Sequence, residues 1–457
     1  MATKATTRSS GYRCSECGWS AIKWVGRCGE CQAWGTVSEV GAVQVRTTAS
    51  MVIQRPALRI GDVDARRAHA RTTGVSEFDR VLGGGLVPGA VVLVAGEPGI
   101  GKSTLLLDVA ARAARADQTV LYVSGEESMA QVRMRAERIE AMAKNLFLAA
   151  ETDLATVLGQ IAQISPDLVV IDSVQTIASG EVEGSAGNVS QVREVAASLI
   201  QLAKARGISI LLVGHVTKDG SIAGPKVLEH LVDVVIAFEG DRHSRLRLVR
   251  AVKNRYGPTD EVGCFDLSDV GIVGLPDPSG LFLSSRDLIV PGTCVTVTLE
   301  GRRPLVTEVQ ALLTATTAPS PRRTTSGLDS SRVAMILAVL EKRAGVKVRQ
   351  ADCYASTVGG IKVSEPASDL AIALAMASSV SDRALPPGTV AMGEVGLAGE
   401  IRGVTGIPRR LAEASRLGFR KAVVPAGSLG SGPMPPDMVV IEVSNIHRAV
   451  SLMTQPV

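Results

Sequence analysis

Five short apolar runs punctuate residues 89–240 of the chain: GAVVLVAG (89–96), TVLYVSG (119–125), DLVVIDS (167–173), SILLVGH (209–215) and VDVVIAFEG (232–240). They are apolar at successive positions, not alternate ones, and rich in β-branched residues. Helix-like segments such as STLLLDVAARAARA (103–116) fall between them. A strand that is apolar throughout needs cover on both faces, which is the condition of a parallel sheet in an α/β layer. The pattern changes further on. TCVTVTLEG (293–301) still reads as strand, TATTAPSPRRTTSGLDSS (314–331) reads as an exposed loop or linker, and residues 332–457 mix long Ala/Leu helices with short strands.

Composition narrows this picture slightly. At about 150 residues per domain, 457 residues predict two to four domains. The blocks drawn are 1–35 (Cys-, Gly- and Trp-rich), a polar connector at 36–70, an α/β core at 71–285 and an α+β block at 286–457. Aromatics are only 3 %, so the cores rest on Ala, Val, Leu and Ile, and the net charge of +4 allows local basic patches without requiring a nucleic-acid partner. The apolar runs are too short to span a bilayer. The opening MATKATTRSSGYRC lacks the apolar centre of a signal peptide. A soluble cytoplasmic protein with no membrane partner is expected, in a reducing compartment that disfavours disulfides.

Four of the seven cysteines crowd into CSECGWSAIKWVGRCGEC. Cys14, Cys17, Cys28 and Cys31 form two C-x2-C knuckles, and four thiolates close a tetrahedral Zn²⁺ site with no place for a catalytic water. Trp19, Trp24 and Trp34 surround the cluster, where they could serve as a small core or as a face for DNA or a partner, core packing being the expected role.

GEPGIGKST supplies the core's chemistry. Gly96, Glu97, Pro98, Gly99, Ile100, Gly101, Lys102 and Ser103 complete a phosphate-loop motif between a strand and a helix. Its backbone N–H groups and the helix N-terminus suit ATP phosphates. Lys102 would reach the β- and γ-phosphates, Ser103 would hold Mg²⁺ and Thr104 would contact the α-phosphate. Asp172, ending a buried strand, would organise Mg²⁺ through water. Glu126 is the expected water-orienting carboxylate, with Glu127 the alternative, and His215 is a candidate γ-phosphate sensor. The sequence has no N-K-x-D base-reading motif, which argues against a GTPase.

GEPGIGKST, YVSGEES, LVVIDSVQT, GHVTKDG and KNRYG together resemble the bacterial RadA (Sms) family of DNA-recombination proteins, with a core similar to the wider RecA class of ATPases. The resemblance spans nearly the whole chain. It implies a mostly parallel RecA-like core, and homo-oligomeric rings, expected to be hexamers, with the nucleotide between neighbours. The loop Lys253, Asn254, Arg255, Tyr256 and Gly257 would then serve the adjacent subunit, with Lys253 and Arg255 acting in trans as arginine fingers do. Tyr256 stands where the family usually has Phe. The resemblance also implies DNA contacts from two segments, 178–193 and 217–226, in which Arg193, Lys218 and Lys226 are the candidate phosphate partners.

VGGIKVSEPASDLAIALAMASS and GEVGLAGEIRGVTGIPRRLAEASRLGF resemble the peptidase domain of Lon proteases. That chemistry needs a Ser nucleophile and a Lys base. Here the pattern puts Ala367 and Pro408 at those places. Ser364 and Ser368 are off register, and Arg409 and Arg410 cannot act as bases. The expectation is a Lon-like scaffold without proteolysis. The resemblance therefore implies a DNA-dependent ATPase of homologous recombination and DNA repair, a motor driving branch migration or unwinding. Its partners would be single-stranded and branched DNA and a RecA-type recombinase. The alternative is a non-motor ATP switch that binds protein partners.

Overall fold

The computed structural model describes residues 11–40, 57, 59–62, 69–215, 225–240, 245–278, 282–283, 290–429 and 434–454. Two compact units emerge, Met1–Asp64 and Ala65–Val457.

In the first unit, β1 (Gly11–Cys14), β2 (Ser20–Ala21) and β3 (Val37–Val40) form an antiparallel sheet in the order β2-β1-β3. Cys14, Cys28 and Val37 make its small core, with Trp19 packed alongside. The strand at 37–40 carries this sheet past residue 35, so the first residues of the expected connector are part of the cysteine module. Trp24 and Trp34 are 63 % and 75 % exposed, which corrects their expected core role. A sheet of so few strands has room for one indole beside the cysteines, and Trp34 instead lies against the Arg27 guanidinium.

The second unit begins with α1 (Ser76–Leu82), β4 (Val91–Gly96), α2 (Lys102–Arg115), β5 (Val120–Ser124), α3 (Met129–Arg138), β6 (Leu146–Ala150), α4 (Leu154–Ile164) and β7 (Leu168–Asp172). It continues with α5 (Val189–Arg206), β8 (Ser209–His215), α6 (Pro225–Glu229), β9 (Val234–Glu239), β10 (Leu246–Asn254), β11 (Val262–Ser268) and β12 (Gly271–Gly274). These strands make one sheet in the order β12-β11-β10-β9-β4-β8-β7-β5-β6. The six from β9 to β6 are parallel, and β10 to β12 extend it antiparallel. All five apolar runs are strands here, for the reason their composition suggests. Val92 and Val94 of β4 face the core shared with α2, while Val91, Leu93 and Ala95 face the core shared with α5.

The remaining elements are β13 (Thr293–Glu300), β14 (Arg303–Ala315), β15 (Arg323–Ser326), α7 (Ser330–Val339), β16 (Ala351–Thr357), α8 (Asp369–Ser381), β17 (Thr389–Ala391), β18 (Glu394–Val395) and β19 (Ile401–Arg402), then α9 (Ile407–Arg416), β20 (Lys421–Pro425), β21 (Val439–Val443) and α10 (Ile446–Thr454). Seven of the strands build a second sheet, β15-β16-β14-β13-β17-β20-β21, while β18 and β19 pair with each other. Leu305 and Val309 of β14 share one core with α8, and Val306 shares another with α9. The stretch 314–331, expected as a loop, contributes the end of β14 and the edge strand β15, which pairs parallel to β16. Its Thr-Thr-Ser sequence suits a sheet edge with one polar face.

Candidate nucleotide and metal sites

The phosphate loop leaves the C-terminal end of β4 and turns into α2. Gly101 takes φ 108°, a conformation that favours glycine, and its amide region opens the helix. Lys102 is almost fully buried. Its Nζ donates to the carbonyls of Gly96 (2.8 Å) and Glu97 (2.7 Å). Burial pulls its ammonium down to about 8 against the opposing pull of Asp172, Glu126 and Glu97. Ser103 and Thr104 follow in the first turn of α2, half-buried. Arg247 of β10, which sequence reasoning missed, donates from Nε to the Ile100 carbonyl at 3.1 Å and braces the loop.

The carboxylates come from neighbouring parallel strands. Asp172 closes β7 and accepts the Tyr122 hydroxyl at 2.6 Å from β5. Burial pushes the Tyr122 phenol well up, with Asp172 adding to the effect, so it stays protonated and donates. Glu126 lies just beyond β5. Its Oε1 accepts the Ser173 hydroxyl at 2.7 Å and meets His215 Nε2 at 2.9 Å. Glu127 instead pairs with Arg135 of α3. Lys102, Asp172, Glu126 and His215 thus gather at the C-terminal edge of the parallel strands, and Glu127 is diverted from them. Tyr122 and Ser173 had no signal in the sequence, because each is read as an ordinary strand or turn residue until the strand order is known.

Lys253 and Arg255 lie at the other edge. Lys253 Nζ donates to the carbonyls of Glu229 (2.7 Å) and Val232 (2.8 Å). Burial and the nearby Arg255 charge lower its ammonium pKa. Arg255 reaches Asp233 at 3.2 Å and remains half exposed. Asp233 also accepts the Val91 amide at 3.1 Å, at the first residue of β4. Asn254 ties Tyr256 N by 2.9 Å, and Gly257 follows beside Gly83. The phosphate loop starts at the far end of β4, about 16 Å away for five residue steps at ~3.3 Å.

Of the candidate DNA contacts, Arg193 is exposed near the start of α5. The loop before it is held by the buried Gln191, which bonds Ser179 through both backbone groups. Lys218 lies outside the described residues, and Lys226 lies in the backbone of α6 with its side chain outside them.

In the cysteine module all four Sγ atoms lie within 4.8 Å of one another. The separations Cys14–Cys31 (3.7 Å) and Cys17–Cys28 (3.5 Å) match the edge of a ZnS₄ tetrahedron, about 3.8 Å for Zn–S bonds near 2.3 Å. The donor set fits zinc. The Thr36 hydroxyl, 3.2 Å from Cys14 Sγ, draws that thiol down to about 6. Thr36 has no sequence signature of its own.

At the Lon-like positions, Ala367 is fully buried and Pro408 lies in the first turn of α9. Ser368 donates its hydroxyl to the Glu365 carbonyl at 2.8 Å, and Ser364 is exposed. Arg410 is fully buried, pairs with Glu365 and donates to the Val297 carbonyl at 2.6 Å.

A Gly-rich loop between strand and helix, with a carboxylate ending a neighbouring parallel strand, defines a P-loop nucleotide-binding protein. The family model matched over this region agrees with this class. Residues 54–221 match the AAA domain family, 12–39 the rubredoxin metal binding domain and 355–428 the subunit ChlI of Mg-chelatase. A DNA repair protein RadA from Mycolicibacterium smegmatis is 53 % identical over 98 % of this chain and 97 % of its own. Another from Mycobacterium tuberculosis is 54 % identical over 98 % of this chain and 94 % of its own. The solved KaiC-like protein PH0186 from Pyrococcus horikoshii is 22 % identical, covers 46 % of this chain and 100 % of its own, and has a TM-score of 0.38. The chain belongs to the RadA family of DNA repair proteins, with the family's zinc ribbon and Lon-protease-like region. Among the described residues no helix is long and apolar enough to cross a membrane.

Proposed function

We propose that this chain is an ATP-hydrolysing DNA repair protein whose active site is completed by a second copy. Lys102 with the loop 96–104 holds the phosphates, Ser103 and Asp172 would hold Mg²⁺, and Glu126, steered by Ser173 and His215, orients the attacking water. Bound Mg²⁺ would neutralise charge on the transferred phosphoryl group. Lys253 and Arg255 complete the neighbour's site. One observation carries the reading: these two cations sit at the opposite end of β4 from their own chain's Lys102, so they cannot serve it.

The fuller form of the proposal is a ring, hexameric as in the family it resembles, using ATP to drive branch migration or unwinding beside a RecA-type recombinase. Single-stranded and branched DNA would meet Arg193, Lys218 and Lys226, while 1–35 carries zinc. The region 71–285 is the ATPase and 286–457 a Lon-like scaffold. Proteolysis is no part of it, since Ala367 and Pro408 supply neither nucleophile nor base and Ser368 is engaged with backbone.

The test measures ATP hydrolysis with and without single-stranded DNA at low salt. Stimulation that fades as salt rises supports the motor; a rate indifferent to DNA favours a switch that acts through protein partners.

A further inference from the structure

The turn between β13 and β14 belongs to the Lon-like sheet, yet it contacts the ATPase sheet before and at the end of the Lys253–Asp260 segment and on the α1 helix that segment packs against. Before the segment, Arg250 of β10 pairs with Glu300 at 2.6 Å. At its end, the Arg302 amide donates to the Asp260 carbonyl at 2.5 Å. Gly301, at φ 60°, comes so close that a Cβ there would stand 2.2 Å from the Asp260 oxygen. From beneath, the buried Arg303 pairs with Glu77 and donates to the carbonyls of Leu275 and Pro276, both at 2.8 Å. Glu77 lies in α1, and the other end of α1 presents the carbonyls of Val81 and Leu82 to Asn254 Nδ2.

The back of the same hairpin is fixed by residues next to the places where the Lon pattern would put its dyad. Arg410 holds the Val297 carbonyl, Glu365 accepts the Leu299 amide at 2.9 Å and Arg409 donates to the Arg302 carbonyl at 3.0 Å. Side chains beside a peptidase-like centre here brace a strut.

We propose that the β13–β14 turn is a positioning element for the trans-acting loop, so that the Lon-like sheet sets where Lys253 and Arg255 point and thereby how fast the neighbouring subunit hydrolyses ATP. This rests on the trans reading of that loop. Glu300, Gly301, Arg302 and Arg303 are positioning residues: their contacts run to Arg250, Asp260, Glu77 and the carbonyls of Leu275 and Pro276. Movement of the Lon-like sheet, whatever binds it, is passed to the adjacent site through this turn.

The experiment uses the full chain carrying Gly301→Ala, which must push the turn away from Asp260. Gly345→Ala is the control, since Gly345 is equally left-handed (φ 71°) but a Cβ there meets open space. Gly301→Ala should lower kcat about tenfold or more with KM for ATP little changed, as a misplaced group does, and Gly345→Ala should leave both alone. Mixing with Lys102→Ala subunits, in rings shown to be mixed by co-purification of two tags, should restore hydrolysis to Gly301→Ala. The mixed interface pairs a sound phosphate loop with a correctly held neighbouring loop. A wild-type rate for Gly301→Ala overturns the proposal. So does a lost rate that Lys102→Ala subunits fail to restore while they do restore Arg255→Ala. Failure to restore Arg255→Ala itself would sink the trans reading first, and the proposal with it. Should Gly301→Ala not fold, Glu300→Gln replaces it, with an expected fall of about threefold and the same restoration; an unchanged rate overturns the proposal equally.

Discussion

Glu126 Oε1 and His215 Nε2 meet at 2.9 Å although 89 residues separate them, and the Ser173 hydroxyl reaches the same oxygen at 2.7 Å. The carboxylate is therefore oriented from two strands at once. Glu127, one residue on, is turned aside by Arg135. Glu126→Gln should keep ATP binding and lose about a hundredfold or more in kcat, the usual scale for a general base. Glu127→Gln should cost no more than a few-fold. Single-turnover hydrolysis of both variants checks the difference, and equal losses would reject Glu126 as the water-orienting group.

Lys102 carries the second prediction. Its ammonium pKa is pulled down to about 8 by burial, so near pH 8 it is only partly charged before phosphate arrives. Phosphate favours the charged form and raises that pKa. Nucleotide binding near pH 8 should therefore take up a fraction of a proton, and affinity should fall as pH rises further. Calorimetry in buffers of different ionisation enthalpy reads the uptake directly. Lys102→Arg, whose guanidinium stays charged, should show none from this group.

The metal module gives a third. The protein should hold one zinc per chain, and Cys28→Ser should abolish it. Thr36→Val removes the hydroxyl beside Cys14 and should weaken zinc by about tenfold, as partners of metal ligands commonly do. Competition with a chromophoric chelator measures both.

Arg410 and Glu365 give a fourth. Arg410→Met leaves Glu365 without its buried partner and should cost about 3 kcal/mol, the lower range for breaking such a pair. Arg410→Met with Glu365→Met should recover part of that loss in thermal or denaturant unfolding. A single variant as stable as the parent would mean the pair contributes nothing to the hairpin it supports.

The parts of this fold that were legible in the sequence are those set by local chemistry. β4, β5, β7, β8 and β9 announce themselves because a strand covered on both faces is apolar at every position. The phosphate loop and the cysteine knuckles are short, contiguous and demanding of residue type. What stayed hidden depends on partners far along the chain. Arg247 bracing Ile100, Ser173 steering Glu126 and Tyr122 donating to Asp172 each require the strand order first. β15 hid in a Pro- and Thr-rich stretch because a parallel edge strand needs little apolar signal. Trp24 and Trp34 misled for the opposite reason: large aromatic residues suggest a core, but the module has space for Trp19 alone.

The three tryptophans of the chain all lie between Trp19 and Trp34, in the cysteine module. The protein thus carries its own optical label, confined to the metal-binding end. Tryptophan-selective emission will follow loss of metal, or a ligand settling over the exposed indoles of Trp24 and Trp34, and will contain no tryptophan from the ATPase sheet or the Lon-like sheet. If that emission changes when ATP is added, the change is a message that has travelled from Lys102 to the zinc ribbon, readable without attaching any dye.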